Sequence, residues 1–226
     1  VNRCFFITGT DTDVGKTVVS CIMLKKASNV GYTTVGYKPV STGVSEKSSL
    51  NFINSDISLL RKYSDLKLSD SEISPIVFSQ KTSPNIASRI NGREINLEVI
   101  NFGLENLKRK ADFIVVEGVG GWYTPLSFDM KISDWVKSRE IPIILTVSFK
   151  IGCINHALLT VEAVQNSNLK IVGWVANRFS LKKKFHSNYF YSLLHMIPYP
   201  CIGIIPDISD WQSYPMEKYI KSRYIF

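Results

Sequence analysis

Residues 9–17 read Gly-Thr-Asp-Thr-Asp-Val-Gly-Lys-Thr, and this stretch restricts the chain more than any other. A short apolar run, Cys4-Phe5-Phe6-Ile7, precedes it and reads as a buried strand. Val18 to Lys26 follows and reads as the opening of a helix. Strand, glycine-bearing loop, Gly-Lys-Thr and helix is the arrangement of a phosphate-binding loop, or P-loop. Backbone N–H groups of such a loop converge on a phosphate, and the helix dipole favours negative charge there. Gly15 lets the backbone come close, Lys16 reaches phosphate oxygens, and the Thr17 hydroxyl is placed to hold Mg²⁺. The spacing departs from the usual one, because Thr10 stands where the first glycine belongs and Gly9 sits one residue earlier. A surface turn that happens to contain Gly-Lys-Thr is the alternative, and the flanking strand and helix weigh against it.

Beyond the loop the helix is expected to run to Asn29, with Val30-Gly31 ending it. Thr33 to Val40 is β-branched and aromatic and reads as one strand, with Lys38 near its carboxyl end. Ligands of open α/β sheets bind outside the carboxyl ends of strands, so Lys38 faces the same region as the P-loop. Asp56 follows a polar stretch and opens an apolar-periodic segment, either as a helix N-cap or as an acidic ligand near a metal. Ile73 to Phe78 is a short extended piece, Thr82-Ser83-Pro84 starts another element, and Ile95 to Lys110 carries helical periodicity. Phe113 to Val116 is a continuous apolar run, as a fully buried parallel strand requires. Glu117 ends it, where P-loop proteins place an acidic Mg²⁺ partner, and Gly118-Val119-Gly120-Gly121 lets backbone approach a ligand.

Ile141 to Val147 is a further strand. Gly152-Cys153-Ile154-Asn155 opens the next helix, as an anion site or an ordinary cap. Lys170 to Ala176 is a strand ending at Asn177, which either reads a base edge or turns the chain. His186 to Met196 is helical, Cys201 to Ile205 is a last strand, and the tail after Asp207 carries no clear pattern. Strands alternate with helices throughout, which predicts an α/β, P-loop NTPase-like fold with a mostly parallel sheet and helices on both faces. One domain over residues 1–226 is expected.

The chain is 45% hydrophobic and 20% charged, a globular composition. No apolar run is long enough for a membrane span or a secretory leader, so a cytoplasmic location is expected. The four cysteines are scattered with no CxxC pair, and the three histidines share no metal spacing. The net charge of +8 suits nucleic acid, an anionic nucleotide and substrate, or a plain basic surface. Lys182-Lys183-Lys184 is the densest basic cluster, and no nucleic-acid motif accompanies it, so neither nucleic acid nor membrane is expected as a partner.

Six blocks taken together resemble the dethiobiotin synthetases: GTDTDVGKT, GYKPVSTG at 36–43, NSD at 54–56, VEGVGGWYTPL at 116–126, GCINHALLT at 152–160 and GWVAN at 173–177. That resemblance implies a homodimeric ligase that joins 7,8-diaminononanoate and CO₂ at the expense of MgATP, giving dethiobiotin, ADP and phosphate. It assigns Asp13, Val14, Gly15, Lys16, Thr17 and Val18 to the ATP phosphates, and Thr17, Asp56 and Glu117 to Mg²⁺. Lys38 and Lys16 match the family's catalytic lysines, and Thr42 its substrate-contacting hydroxyl. Gly118, Val119 and Gly120, then Asn177 with Arg178, then Pro206, Asp207 and Ile208, match nucleotide contacts. Gly152 to Asn155 match the site for the substrate carboxylate, supplied by the partner subunit. Arg178 departs from an Asp common there, while Asp13 and Thr42 keep the charge and the hydroxyl of the usual Glu and Ser. Rival readings are another P-loop amide ligase and a switch ATPase of the ParA/MinD type. The latter carries an extra lysine early in the loop, where this chain has Asp11.

Overall fold

The structure, a computed structural model, describes residues 3–44, 56–177 and 185–226. Arg178, the Lys182–Lys184 cluster and the Asn54-Ser55 pair lie outside the described residues. Six parallel strands form the main sheet: β1 (Arg3–Gly9), β2 (Thr34–Tyr37), β5 (Phe113–Glu117), β6 (Ile143–Ser148), β7 (Ile171–Asn177) and β8 (Cys201–Ile205). Their spatial order is β2-β5-β1-β6-β7-β8. The P-loop strand β1 is therefore interior, with β5 on one side and β6 on the other. A second, two-stranded sheet pairs β3 (Val40–Ser41) with β4 (Ile76–Val77).

The helices are α1 (Lys16–Asn29), α2 (Asp56–Tyr63), α3 (Asp70–Ile73), α4 (Pro84–Ile90), α5 (Leu97–Lys108), α6 (Ile132–Ser138), α7 (Cys153–Gln165) and α8 (His186–Met196). Side chains that alternate along each strand divide them into two layers. Phe6, Tyr37, Ile114, Val116, Leu145 and Trp174 pack with α5, α6, α7 and α8. Phe5, Ile7, Val115, Ile144 and Val175 pack with α1, α2 and the carboxyl-terminal tail. Covered on both faces, β5 has no side chain that reaches water, which explains its unbroken apolar run.

The predicted strand over 33–40 is corrected. It ends at Tyr37, and the chain resumes at Val40 in the other sheet. Pro39 lacks a backbone donor and separates the two, so Lys38 lies in the break rather than in the ladder. Helix α6 was not read from the sequence at all. It is only seven residues long and buries Ile132, Trp135 and Val136, too short a run for a clear period. The tail forms three short 3₁₀ turns. Lys221 N–H donates to the Ile202 carbonyl at 2.8 Å, and Ile220 bridges Gly203, so the tail covers part of the β8 edge.

Candidate active site

The loop after β1 turns sharply into α1. Asp13 (φ 56°) and Gly15 (φ 90°) both adopt left-handed backbone, and Gly15 caps the helix without a side chain. The displaced first glycine has a steric reason. A Cβ at Gly9 would lie 2.5 Å from Val14 Cγ2 and 3.0 Å from the Asp11 carbonyl, because the loop folds back over it. Lys16 curls under the loop, and its Nζ donates to the Asp11 carbonyl at 3.1 Å. Burial pulls its ammonium down to about 8, with the Glu117 charge opposing.

Around the start of α1 the chain gathers groups that are far apart in sequence. Thr17 Oγ1 is 2.8 Å from Asp56 Oδ1 and 2.9 Å from Glu117 Oε1. Lys38 Nζ donates to Glu117 Oε1 at 2.8 Å and pairs with Asp56 Oδ2. Each group arrives by its own route. Thr17 is in the first turn of α1, Lys38 follows β2, Asp56 opens α2, and Glu117 ends β5 beside Ile7. Glu117 is wholly buried, and burial raises its pKa although Lys38 opposes. Asp56 keeps 45% of its side chain exposed, so the adjacent ammonium outweighs burial and lowers its pKa. Lys38 loses basicity through burial but regains more from Glu117 and Asp56, and it stands raised.

The same donors suit a hard cation. Glu117 Oε2 is buried without a hydrogen-bond partner among the described residues, and the Thr17 hydroxyl and Asp56 carboxylate lie beside the same residue. No group of three or more His, Cys, Asp or Glu able to hold a metal occurs among the described residues. Two carboxylates and a hydroxyl fit Mg²⁺, which takes few protein ligands and completes its shell with phosphate oxygens and water.

These residues line a cavity of about 600 Å³, a volume in the range of ligand sites. Of the residues expected from sequence, Gly15, Lys16, Thr17, Lys38, Thr42, Asp56, Glu117, Gly118, Val119 and Gly120 all line it. Val14 is buried behind the loop, and Asp13 is exposed. Asn177 is fully buried, and its Nδ2 donates to the Val14 carbonyl at 2.8 Å, so it braces the back of the P-loop. Pro206, Asp207 and Ile208 follow β8 and are not among the cavity residues. Gly152 to Asn155 form the start of α7, with Gly152 at φ 87°, and they too stand apart from this cavity.

Sequence reasoning missed other members of the cavity wall. Lys81, Thr82, Ser83 and Pro84 line it from the connection between β4 and α4, and Thr124 and Pro125 from the segment after Gly121. Thr82-Ser83-Pro84 carried a signal only for the start of another element, which is α4, and nothing local marked it as facing a ligand. Asp11 accepts from Lys150, which lies just before the Gly152 turn, and that hydrogen bond holds its carboxyl below the ordinary range. A pairing across 139 residues leaves no trace in local sequence.

Comparison with known proteins bears on this geometry at two levels. At the level of fold, the structure is similar to the MinC:MinD cell division protein complex of Aquifex aeolicus, with a TM-score of 0.57, 13% identity and coverage of 94% of this chain and 84% of that one. It is also similar to a plasmid partition protein of Borrelia burgdorferi bound to AMPPNP, with a TM-score of 0.58, 15% identity and coverage of 99% and 96%. Such low identities bear on the P-loop NTPase fold alone. At the level of sequence, a family model described as an AAA domain matches residues 3–213. The ATP-dependent dethiobiotin synthetase BioD of Buchnera aphidicola subsp. Acyrthosiphon pisum (strain APS) is 48% identical over 202 residues, 89% of this chain and 90% of the relative. BioD 1 of Escherichia coli (strain K12) is 45% identical over 210 residues, 93% of each chain. Identity of this extent, along nearly the whole of both sequences, leaves one assignment: the chain belongs to the family of ATP-dependent dethiobiotin synthetases.

Proposed function

We propose that this protein closes the cyclic urea of dethiobiotin from 7,8-diaminononanoate, CO₂ and ATP. The observation that carries the reading is the meeting of Lys38, Thr17, Asp56 and Glu117 at the mouth of the P-loop, in one cavity with Lys16 and Thr42. In this reading one substrate amine adds to CO₂ and becomes a carbamate. A carbamate oxygen attacks the γ-phosphorus of ATP and ADP leaves, giving a carbamic-phosphoric anhydride. The second amine attacks its carbonyl carbon, the ring closes and phosphate departs.

The residues divide this work by position. Backbone N–H groups from Gly15 to Val18 and the Lys16 ammonium hold the phosphates. Lys38, paired with Asp56 and Glu117 in the same cavity, would face the negative charge that builds on the transferring group. Thr17, Asp56 and Glu117 would hold Mg²⁺, which when bound neutralises phosphate charge and polarises the phosphoryl group. Thr42 offers a hydroxyl to the substrate. Gly152 to Asn155 would serve the other subunit of a cytoplasmic homodimer, receiving the substrate carboxylate at the start of α7. The whole chain acts in this reading as one ligase domain.

The test is ADP release from MgATP and bicarbonate with and without 7,8-diaminononanoate, with the product weighed. We expect release that requires the diamine and a product heavier by one carbonyl. Hydrolysis indifferent to the diamine would instead favour a switch ATPase or a different ligase.

A further inference from the structure

Among the cations of the cavity, Lys81 stands apart. Lys38 is engaged by Asp56 and Glu117, and Lys16 by the Asp11 carbonyl. Lys150, just outside, is engaged by the Asp11 carboxylate. Lys81 lines the cavity, is exposed, and has no hydrogen-bond or ion-pair partner among the described residues. Its place is nevertheless fixed by backbone. Gly43 N–H donates to the Gln80 carbonyl at 2.9 Å, and Phe78 N–H donates to the Ser41 carbonyl at 2.9 Å. The lysine stem packs on Gly43, where an added Cβ would lie 3.1 Å from Lys81 Cγ. Gly43 has a left-handed φ of 75°, so a glycine suits both the turn and the close approach. The stem of Lys81 is thus held against the residue that follows Thr42, and Thr42 lines the same cavity.

A strongly hydrated ammonium kept at a cavity wall without a carboxylate suits an anion brought by the ligand. The inference rests on the ring-closing reading. In that reaction the phosphates face the P-loop, and the substrate's own carboxylate goes to the start of α7. The remaining anion is the carbamate, generated beside Thr42. We propose that Lys81 is the counter-ion of the carbamate and sets how much bound substrate is in that form. The chemistry balances: the amine nitrogen forms a bond to the CO₂ carbon, a C–O π pair moves onto oxygen, and the N–H proton leaves to solvent base. A nearby cation favours both the loss of that proton and the anion that results.

The experiment is ¹³C NMR of the full-length protein with 7,8-diaminononanoate and ¹³C-bicarbonate, without nucleotide, on the unmodified protein, Lys81→Gln and Lys81→Arg. MgATP affinity by calorimetry and steady-state kinetics accompany it. Lys81→Gln is expected to lower carbamate occupancy about tenfold, the scale of one lost hydrogen bond to a charged group. Its KM for bicarbonate should rise by a similar factor, with MgATP affinity within about twofold, and Lys81→Arg should keep most of the signal. Undiminished carbamate in Lys81→Gln overturns the proposal, as does a loss of MgATP affinity that matches the loss of carbamate. A folded unmodified protein without a carbamate signal, and without diamine-dependent ADP release, removes the ring-closing reading and this proposal together. Carbamate and ADP release intact in the unmodified protein, with no response to Lys81→Gln, removes the Lys81 assignment alone.

Discussion

Lys38 holds two carboxylates of opposite character. Glu117 has no access to water, and burial raises its pKa against the ammonium that lies 2.8 Å away, whereas Asp56 retains partial solvation. Lys38→Ala leaves a buried Glu117 without its cation, which costs about 3 kcal/mol in comparable pairs. We expect a lower melting temperature that MgATP partly restores, and a fall in turnover of about 10²–10³-fold. Near-normal turnover would remove Lys38 from its assigned role. Thr17→Val should weaken nucleotide binding only when Mg²⁺ is present, and equal MgATP affinity by calorimetry would count against that hydroxyl as a ligand. The Asp11–Lys150 pair makes a prediction about pH. Lys150 lowers the Asp11 pKa, so the stabilisation is present at neutrality and is lost only as pH falls through the lowered value. Lys150→Met should raise the Asp11 pKa toward the ordinary carboxylate range, as read from its carboxyl carbon by NMR. An Asp11 titration identical in both proteins would dissolve the pair.

Elements explain why those residues meet. Gly36 has no side chain, and a Cβ there would lie 2.8 Å from Leu60, so α2 sits directly on β2 and brings Asp56 toward Lys38. On the other face Tyr37 donates from its hydroxyl to the Ile100 carbonyl at 2.8 Å, beneath Gly103 of α5. A Cβ at Gly103 would meet that hydroxyl at 2.6 Å. Gly103→Ala should therefore displace Tyr37, cost about 1–3 kcal/mol and disturb the neighbouring Lys38. Denaturant unfolding with a parallel assay checks this, and a variant of unchanged stability and kinetics would count against the clash with Tyr37. These contacts also mark the limit of what local sequence conveys. The P-loop, β5 and the termini of α1 were legible because each has a period, a run or a breaker of its own. The break at Pro39 was visible as a proline but not as a change of sheet. Asp56 was legible as an acid at a helix start, and its pairing with Lys38 appears only when α2 packs on β2. Lys81 and Lys150 were illegible as cavity and loop partners, since their significance lies in segments brought together by the sheet.

At the scale of the molecule, the start of α7 is the outlying part of the assignment, because Gly152 to Asn155 stand away from the cavity of their own chain. If each site borrows this turn from the other subunit, two disabled proteins should repair one another. Mixing Lys38→Ala with Asn155→Lys, and allowing subunits to exchange, should restore about one quarter of the activity, since half of the dimers then hold one complete site. Mixtures no more active than their components would confine the site to one chain. Strand order carries a different consequence, for the moment when the protein is made. β1 and β2 leave the ribosome before the other strands of the main sheet, yet neither pairs with the other. The neighbours of β1 are β5 and β6, and β2 pairs with β5. Once residues 3–112 have emerged, β3 and β4 can pair, but the two main-sheet strands β1 and β2 still have no ladder to join. The emergence of Phe113 to Glu117 supplies the missing strand and the last carboxylate of the cluster in one stroke, so the birth of the sheet and the birth of the site coincide.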